Sequence, residues 1–225
     1  MYVGIREFEE KVFSISTNVG SGTAFTYKHK NMEYLITAKH VVKKMGASGV
    51  VNINRMNDIL QKEVNIYYPK FSNIDIAVLG YSGCLVEDSM ELKYDSDNLI
   101  TTQDAYFLGY PFSYSGSTNN SQKGNVNRIP ITRKGIISGA HALKENFVIF
   151  IDADSNEGFS GGPVVVFDNN RPKVCGVVSG YIYSKGKIYE NRTNVVDQII
   201  YRENSGIMLA YGIHHAIDII EQIAY

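Results

Sequence analysis

Residues 156–167 read "NEGFSGGPVVVF": a serine, Ser160, set between Gly158 and two further glycines, then Pro163 and a run of valines. Gly, Ser and Pro mark turns, and the valines suit a buried strand. A serine raised on such a turn can also be displayed for attack on a carbonyl, provided a base, an orienting acid and donors for an oxyanion stand elsewhere in the chain. The residues from Pro163 onward decide the fold. Gly158, Ser160 and Gly162 also satisfy a G-x-S-x-G nucleophile elbow, but an elbow must run from a strand straight into a helix. A proline and three β-branched residues spoil a helix and continue a strand. The elbow would also need a base late in the chain, and His214 and His215, which could serve, sit in the closing helical stretch. The β reading wins.

The rest of the chain agrees with it. Short β-branched and aromatic runs recur between Gly, Asn, Ser and Asp: "GTAFTYK", "EYLIT", "GVVNIN", "EVNIYY", "DIAVL", "ITRKGIIS", "NFVIFID" and "KVCGVVSGYIY". Many short strands with turn signals between them predict an all-β sandwich or barrel. Two stretches carry helical periodicity instead. "IREFEEKVFSI" places Ile5, Phe8, Val12 and Ile15 on one stripe, and "IHHAIDIIEQIAY" does the same with Ile213, Ile217, Ile220 and Ala224. The polar segments 113–128 and 183–194 read as surface loops. Neither a repeat nor a proline-rich linker divides the chain, which predicts one unit over residues 1–225.

With 225 residues, 44% of them hydrophobic, the chain can bury a full core. The formal net charge of -1 lacks the basic footprint of a nucleic-acid binder. No apolar run is long enough to span a bilayer, and Glu7, Glu9 and Glu10 stand where a secretory signal would carry its apolar core. The expectation is a cytoplasmic protein bound neither to nucleic acid nor to membrane. Cys84 and Cys175 lie in apolar surroundings, have no metal-ligand spacing and read as buried free thiols. The histidines form no zinc pattern, and neither metal nor cofactor is expected.

A serine hydroxyl is a poor nucleophile until a neighbouring base takes its proton. His40 follows an apolar strand in "YLITAKHVVKK", and Asp75 immediately precedes another in "SNIDIAVLGY". A carboxylate entering an apolar strand needs a partner, because burying it unpaired is expensive. An imidazole N–H would serve. Each residue alone also has a plain reading, as a satisfied core histidine and a strand-start turn residue.

Taken together, "GSGTAF", "YLITAKHVV", "DIAVL", "LGYPF", "TRKGIISG" and "DADSNEGFSGGPVV", in that order, resemble the trypsin-like peptidases of the chymotrypsin superfamily, especially the bacterial HtrA-like and stand-alone members. The resemblance implies two packed six-stranded antiparallel β-barrels, with a short helix before them and a helix after them. The first barrel would span about 12–98 and carry His40 and Asp75. The second would span about 99–211 and carry Ser160, with the closing helix over 212–225. It implies a serine endopeptidase acting on polypeptides through a His40–Asp75–Ser160 triad and an acyl-enzyme, with the N–H groups of Gly158 and Ser160 as oxyanion donors. Ser179, Gly180 and Tyr181 in "GVVSGY" would pair with the substrate backbone and wall the specificity pocket, with the Ser179 side chain facing Asp75. Asp154 corresponds to the floor of that pocket, where a carboxylate would favour a basic residue before the cut; the plainer reading, a solvated loop residue beside a pocket shaped otherwise, is preferred.

The departures from the family pattern matter as well. Phe159 stands where pancreatic-type relatives carry an aspartate that a freshly cut N-terminus activates. The cysteine pair that braces the pocket in secreted relatives is missing, and the expectation is a stand-alone domain without the peptide-binding domain that HtrA proteins append. A peptidase of this kind needs another restraint, either narrow substrate selection or an activating protein partner. A proteolytic role in a bacterial stress or defence system fits the resemblance. The competing function is a non-catalytic binding or scaffolding protein on the same fold.

Overall fold

A computed structural model of the protein describes residues 3–55, 58–87, 99–114, 116–120, 125–143, 146–189 and 195–224. Helix α1 (Val3–Glu9) leads into strands β1 (Val12–Ser16), β2 (Ser21–His29) and β3 (Met32–Thr37), then the one-turn helix α2 (Lys39–Val42). Strands β4 (Ser48–Arg55), β5 (Asp58–Tyr67) and β6 (Ala77–Gly80) complete a closed antiparallel barrel in the order β1-β2-β3-β6-β5-β4. The second closed barrel is built from β7 (Asp104–Gly109), β10 (Ile131–Leu143), β11 (Asn146–Asp152), β12 (Pro163–Asp168), β13 (Arg171–Tyr189) and β14 (Val195–Gly212). Its order is β10-β11-β14-β13-β12-β7. The hairpin β8 (Gly116–Asn120) and β9 (Asn125–Ile129) stands apart from both barrels, and α3 (His214–Ile223) closes the chain.

The valine run shows how side-chain alternation builds this architecture. Successive residues of a strand point to opposite faces. Val164 and Val166 therefore enter the core of the second barrel beside Phe107, Ile149 and Cys175. Val165 points the other way, into the apolar layer between the barrels. In the first barrel Leu35 and Leu79 fill the interior, while Tyr34, Ile36 and Val78 reach the same shared layer. Strands covered on both faces read as nearly continuous apolar runs. Ile5 and Phe8 of α1 and Ile219 and Ile220 of α3 join that layer, so both helices pack on the joint between barrels.

Three local expectations are corrected. The predicted helix over 5–15 stops at Glu9, and Val12–Ser16 becomes β1. Barrel closure decides this: β1 pairs with β2 on one side and β4 on the other, and it buries Val12, Phe13 and Ile15. Such tertiary demands outweigh local periodicity. The polar segment 113–128 holds the β8–β9 hairpin, whose ladder runs from Gly116↔Ile129 to Asn120↔Asn125; residues 115 and 121–124 lie outside the described set. Segment 183–194 is not a loop over 183–189. That part continues β13, paired with β14 as far as Tyr189↔Val195, and residues 190–194 lie outside the described set.

Candidate active site

His40 and Asp75 come from the first barrel. Strand β3 ends at Thr37, the chain turns into α2, and His40 sits on its first turn, partly exposed. Asp75 lies between the buried Ile74 and Ile76, just ahead of β6. Its carboxylate collects three hydrogen bonds. The His40 backbone N–H donates to Oδ1 at 2.8 Å, His40 Nδ1 stands 2.6 Å from Oδ2, and the Ser179 hydroxyl donates to Oδ2 at 2.6 Å. Burial pushes the Asp75 carboxyl up, but the hydrogen bond and charge of His40, the Ser179 hydroxyl and the His40 backbone outweigh it and hold it below the ordinary carboxylate range. An ionised Asp75 takes a proton-bearing Nδ1, which leaves Nε2 of a neutral His40 as an acceptor.

Ser160 arrives from the second barrel on the turn before β12. Gly158 (φ 100°) and Gly161 (φ 88°) both occupy the left-handed region, which costs glycine nothing. Space forbids a side chain there too: a Cβ on Gly158 would run into the Tyr110 carbonyl, and one on Gly161 into the Thr23 carbonyl. Neither the Gly158 N–H nor the Ser160 N–H donates to a protein acceptor among the described residues. The Glu157 carbonyl accepts from Phe112 N–H at 2.9 Å. In a trans peptide the N–H points opposite to the C=O, so this bond turns the Gly158 N–H away from the Phe112 loop.

The Ser160 hydroxyl donates to the Ser179 carbonyl at 2.9 Å. Among the described residues no direct hydrogen bond joins it to His40. His40, Asp75, Ser179 and Ser160 are instead linked in one continuous chain of bonds. His40, Gly158, Ser160, Ser179, Gly180 and Tyr181 line a common cleft of about 540 Å³ between the barrels.

Asp154 is exposed and does not line this cleft. Its neighbour Ser155 is buried, with its carbonyl accepting from Asn204 Nδ2 at 2.6 Å. The Ala153 N–H donates to Gly206 at 2.9 Å. These contacts brace the loop before Ser160 where secreted relatives use a disulfide. Leu209, the ladder partner of Gly180 on β14, lines the cleft with an apolar side chain.

Thr23 and Phe159 hold the Ser160 turn, a structural part that sequence reasoning assigned to neither. Thr23, fully buried in β2, donates its hydroxyl to the Gly158 carbonyl at 2.6 Å and accepts from Tyr110 N–H at 3.1 Å. Its own N–H donates to the Ser160 carbonyl at 2.9 Å. One residue of the first barrel thus clamps both Gly158 and Ser160 of the turn in the second. Its place in "GSGTAF" was the only signal. Phe159 is fully buried, edge-on to Phe107 with ring centroids 5.0 Å apart. Where pancreatic-type relatives anchor this turn with an ion pair, this chain does so with a ring.

Among the described residues no cluster of His, Cys, Asp and Glu could hold a metal ion, and no helix is long and apolar enough to cross a membrane.

Comparison with solved structures gives the same architecture. The inactive form of Rv3671c from M. tuberculosis H37Rv, with a serine-to-alanine change, aligns at TM-score 0.63 and 20% identity, over 99% of this chain and 90% of that one. The HtrA-type protease AlgW with tripeptide aligns at TM-score 0.64 and 19% identity, over 98% of this chain and 62% of that one. The serine endoprotease from Yersinia pestis aligns at TM-score 0.58 and 16% identity, over 97% and 64%. No curated protein matches the chain significantly. The sequence model of the trypsin-like peptidase domain matches residues 20–177, a span that runs from the first barrel through Ser160 into β13. The chain belongs to the trypsin-like peptidase domain family.

Proposed function

We infer that the protein is a serine endopeptidase that cuts polypeptides through an acyl-enzyme on Ser160. The observation that carries this reading is the Asp75 carboxylate, which gathers the His40 ring, the His40 backbone and the Ser179 hydroxyl beside the Ser160 turn. A buried carboxylate so fully bonded holds one imidazole tautomer and stabilises the imidazolium once it forms.

In the reaction, His40 Nε2 takes the Ser160 proton as Oγ attacks the scissile carbonyl carbon. The resulting oxyanion accepts from the N–H groups of Gly158 and Ser160, each such donor contributing ~3 kcal/mol to lowering the barrier. His40 then delivers its proton to the leaving amine as the C–N bond breaks. Water, deprotonated by the same nitrogen, attacks the acyl-enzyme, and the proton returns to Ser160 as the ester bond breaks. Asp75 stays ionised throughout. Cys175 is buried as expected, whereas Cys84 is exposed, against the expectation from its apolar neighbours; two free thiols suit a reducing compartment such as the cytoplasm.

A second reading, a binding protein on a peptidase fold, draws on the Ser160 hydroxyl being bonded to Ser179 rather than His40. A fluorophosphonate probe separates the two. Labelling abolished by Ser160→Ala, together with cleavage of a reduced and carboxymethylated protein, supports the peptidase. Neither labelling nor cleavage under any condition leaves the binding protein.

A further inference from the structure

The flank of the first barrel beside His40 carries charge of one sign. From Tyr34 to Asn57 the lysines and arginines are Lys39, Lys43, Lys44 and Arg55, and no Asp or Glu stands among them. A second segment, Val64 to Ile74, adds Lys70 and again no carboxylate. Tyr68 joins the two. Its hydroxyl donates to the Gly46 carbonyl at 2.9 Å, just past the short 3-10 helix Lys43–Met45, and Lys39 Nζ lies 5.8 Å from the centre of its ring. Lys70 follows two residues later, with Nζ 6.0 Å from the centre of the Phe71 ring.

Lys43, Lys44 and Lys70 are exposed, and among the described residues none of them pairs with a carboxylate. Lys39 is committed locally, donating to the Ser72 carbonyl at 3.1 Å. Like charges gathered without counter-charges repel one another and raise a local positive field. With a formal net charge of -1 the rest of the molecule does not share that excess. Such a field suits a short, multivalent anion. The Lys43 N–H donates to the Lys39 carbonyl, so these two lysines lie one turn apart, with Cβ atoms ~6 Å from each other. Carboxylates at alternate positions of an extended polypeptide repeat every ~7 Å. A polynucleotide would carry its phosphates on past the flank, to a cleft that presents Glu157, where nothing cationic continues the contact.

We propose that this lysine flank docks an acidic segment of a polypeptide, held outside the cleft while the rest of that polypeptide lies within it. Lys39 directly precedes His40, which lines the cleft, so one chain reaches both. That the docked segment belongs to the substrate rests on the peptidase reading. Charges at a rim act chiefly on the rate of encounter, and salt screens them.

The test uses the full chain with Ser160→Ala and a fluorescein-labelled peptide that alternates Glu and Ser on one side of a neutral, apolar half, read by anisotropy. At low salt it binds about tenfold more tightly than its Gln counterpart, the gain expected of a few exposed charge pairs. Salt near ~1 M, which screens charges within ~3 Å, erases the difference. Lys43→Glu/Lys44→Glu and, separately, Lys70→Glu each remove most of the preference. Lys30→Glu/Arg171→Glu, in the β2–β3 and β12–β13 turns, changes the net charge as much as the first pair and keeps the preference. Equal binding of the Glu and Gln peptides overturns the proposal, as does a preference that survives the flank reversals or tighter binding of an oligothymidylate of the same charge. The wild-type protein is assayed for cleavage of the same peptides. Cleavage of both at equal kcat/KM, with equal binding, sinks the docking flank and keeps the peptidase, whereas preferential binding of the Glu peptide without cleavage of either does the reverse.

Discussion

The Ser160 hydroxyl donates to the carbonyl of Ser179 at 2.9 Å, and the Ser179 hydroxyl donates to Asp75 at 2.6 Å. The Ser160 hydroxyl therefore rests on a backbone acceptor of β13, whose Ser179, Gly180 and Tyr181 line the cleft. On the proposed peptidase reading, a substrate backbone lying along β13 brings its own N–H groups to the same carbonyl. When the N–H of the residue before the scissile bond takes it over, the Ser160 hydroxyl is freed to turn to His40 Nε2. On that reading, such an arrangement slows attack until a substrate backbone is bound, a restraint suited to a chain that has Phe159 in place of the aspartate latch.

This gives a first prediction. A peptide in which that single N–H is replaced by an ester oxygen loses kcat about tenfold or more, because an interaction needed to reach the transition state is gone. The same replacement one residue further from the cut changes kcat much less. An unchanged kcat for the first peptide would show that Ser179 does not gate the nucleophile.

The second prediction concerns Thr23. Its hydroxyl serves the Gly158 carbonyl and the Tyr110 N–H at once, so Thr23→Val removes both hydrogen bonds. Stability should drop by ~1–3 kcal/mol, and kcat should fall about 10–100-fold as the Gly158 donor loses its position. Thr23→Ser keeps the hydroxyl and should restore kcat nearly to the wild-type value. If Ser fails to rescue and Val is harmless, the clamp has no part in positioning the oxyanion donors.

The division between what the sequence reveals and what it hides follows from the range of the interactions. His40, Asp75 and Ser160 each stand in a short motif with its own local logic: the end of a strand, the entry to a strand, a glycine turn before valines. Thr23 acts on Gly158 across 135 residues of chain, and nothing near Thr23 announces that partner. Val12–Ser16 carries a helical stripe, but the first barrel needs a strand there between β2 and β4. Residues 183–189 are too polar to alternate like a strand, yet their ladder with β14 holds them extended through backbone bonds that any side chain permits. Asp154 looks like a pocket residue by its distance from Ser160, and only the path of the loop leaves it exposed.

Phe159 supplies the third prediction. Its ring is fully buried against Phe107, so the turn is held by packing. Phe159→Leu keeps an apolar side chain and should cost ~1–2 kcal/mol. Phe159→Asp introduces the acid that pancreatic-type relatives pair with an N-terminus, and it should cost more than ~3 kcal/mol because the carboxylate enters an apolar core unpaired. Chemical denaturation measures both. An Asp variant as stable as the Leu variant would mean the acid has found a cation, and the ring is then not the anchor of the turn.

The last prediction is a pH dependence of stability set by the closing helix. His215 is buried at 8% exposure on α3, its Nε2 lies 3.5 Å from the Phe147 backbone N–H, and its ring centroid is 3.9 Å from that of His214. Burial, with a smaller contribution from the His214 charge, pushes the His215 imidazole down to about 4. Burial also lowers His214, against the opposing pull of Asp218. An unfolded imidazole titrates near ~6.5, so between that value and about 4 the unfolded chain holds a proton that the native protein refuses. Stability rises with pH wherever the unfolded state binds more protons. The contribution of neutral His215 is therefore complete above ~6.5 and is lost on acidification through the window below it, to the extent of ~2 kcal/mol by pH 5. His215→Gln retains an acceptor for the Phe147 N–H and removes the titration. Its Tm should fall less than the wild-type Tm between pH 7 and pH 5, and equal falls in the two proteins would remove His215 as the source of acid sensitivity.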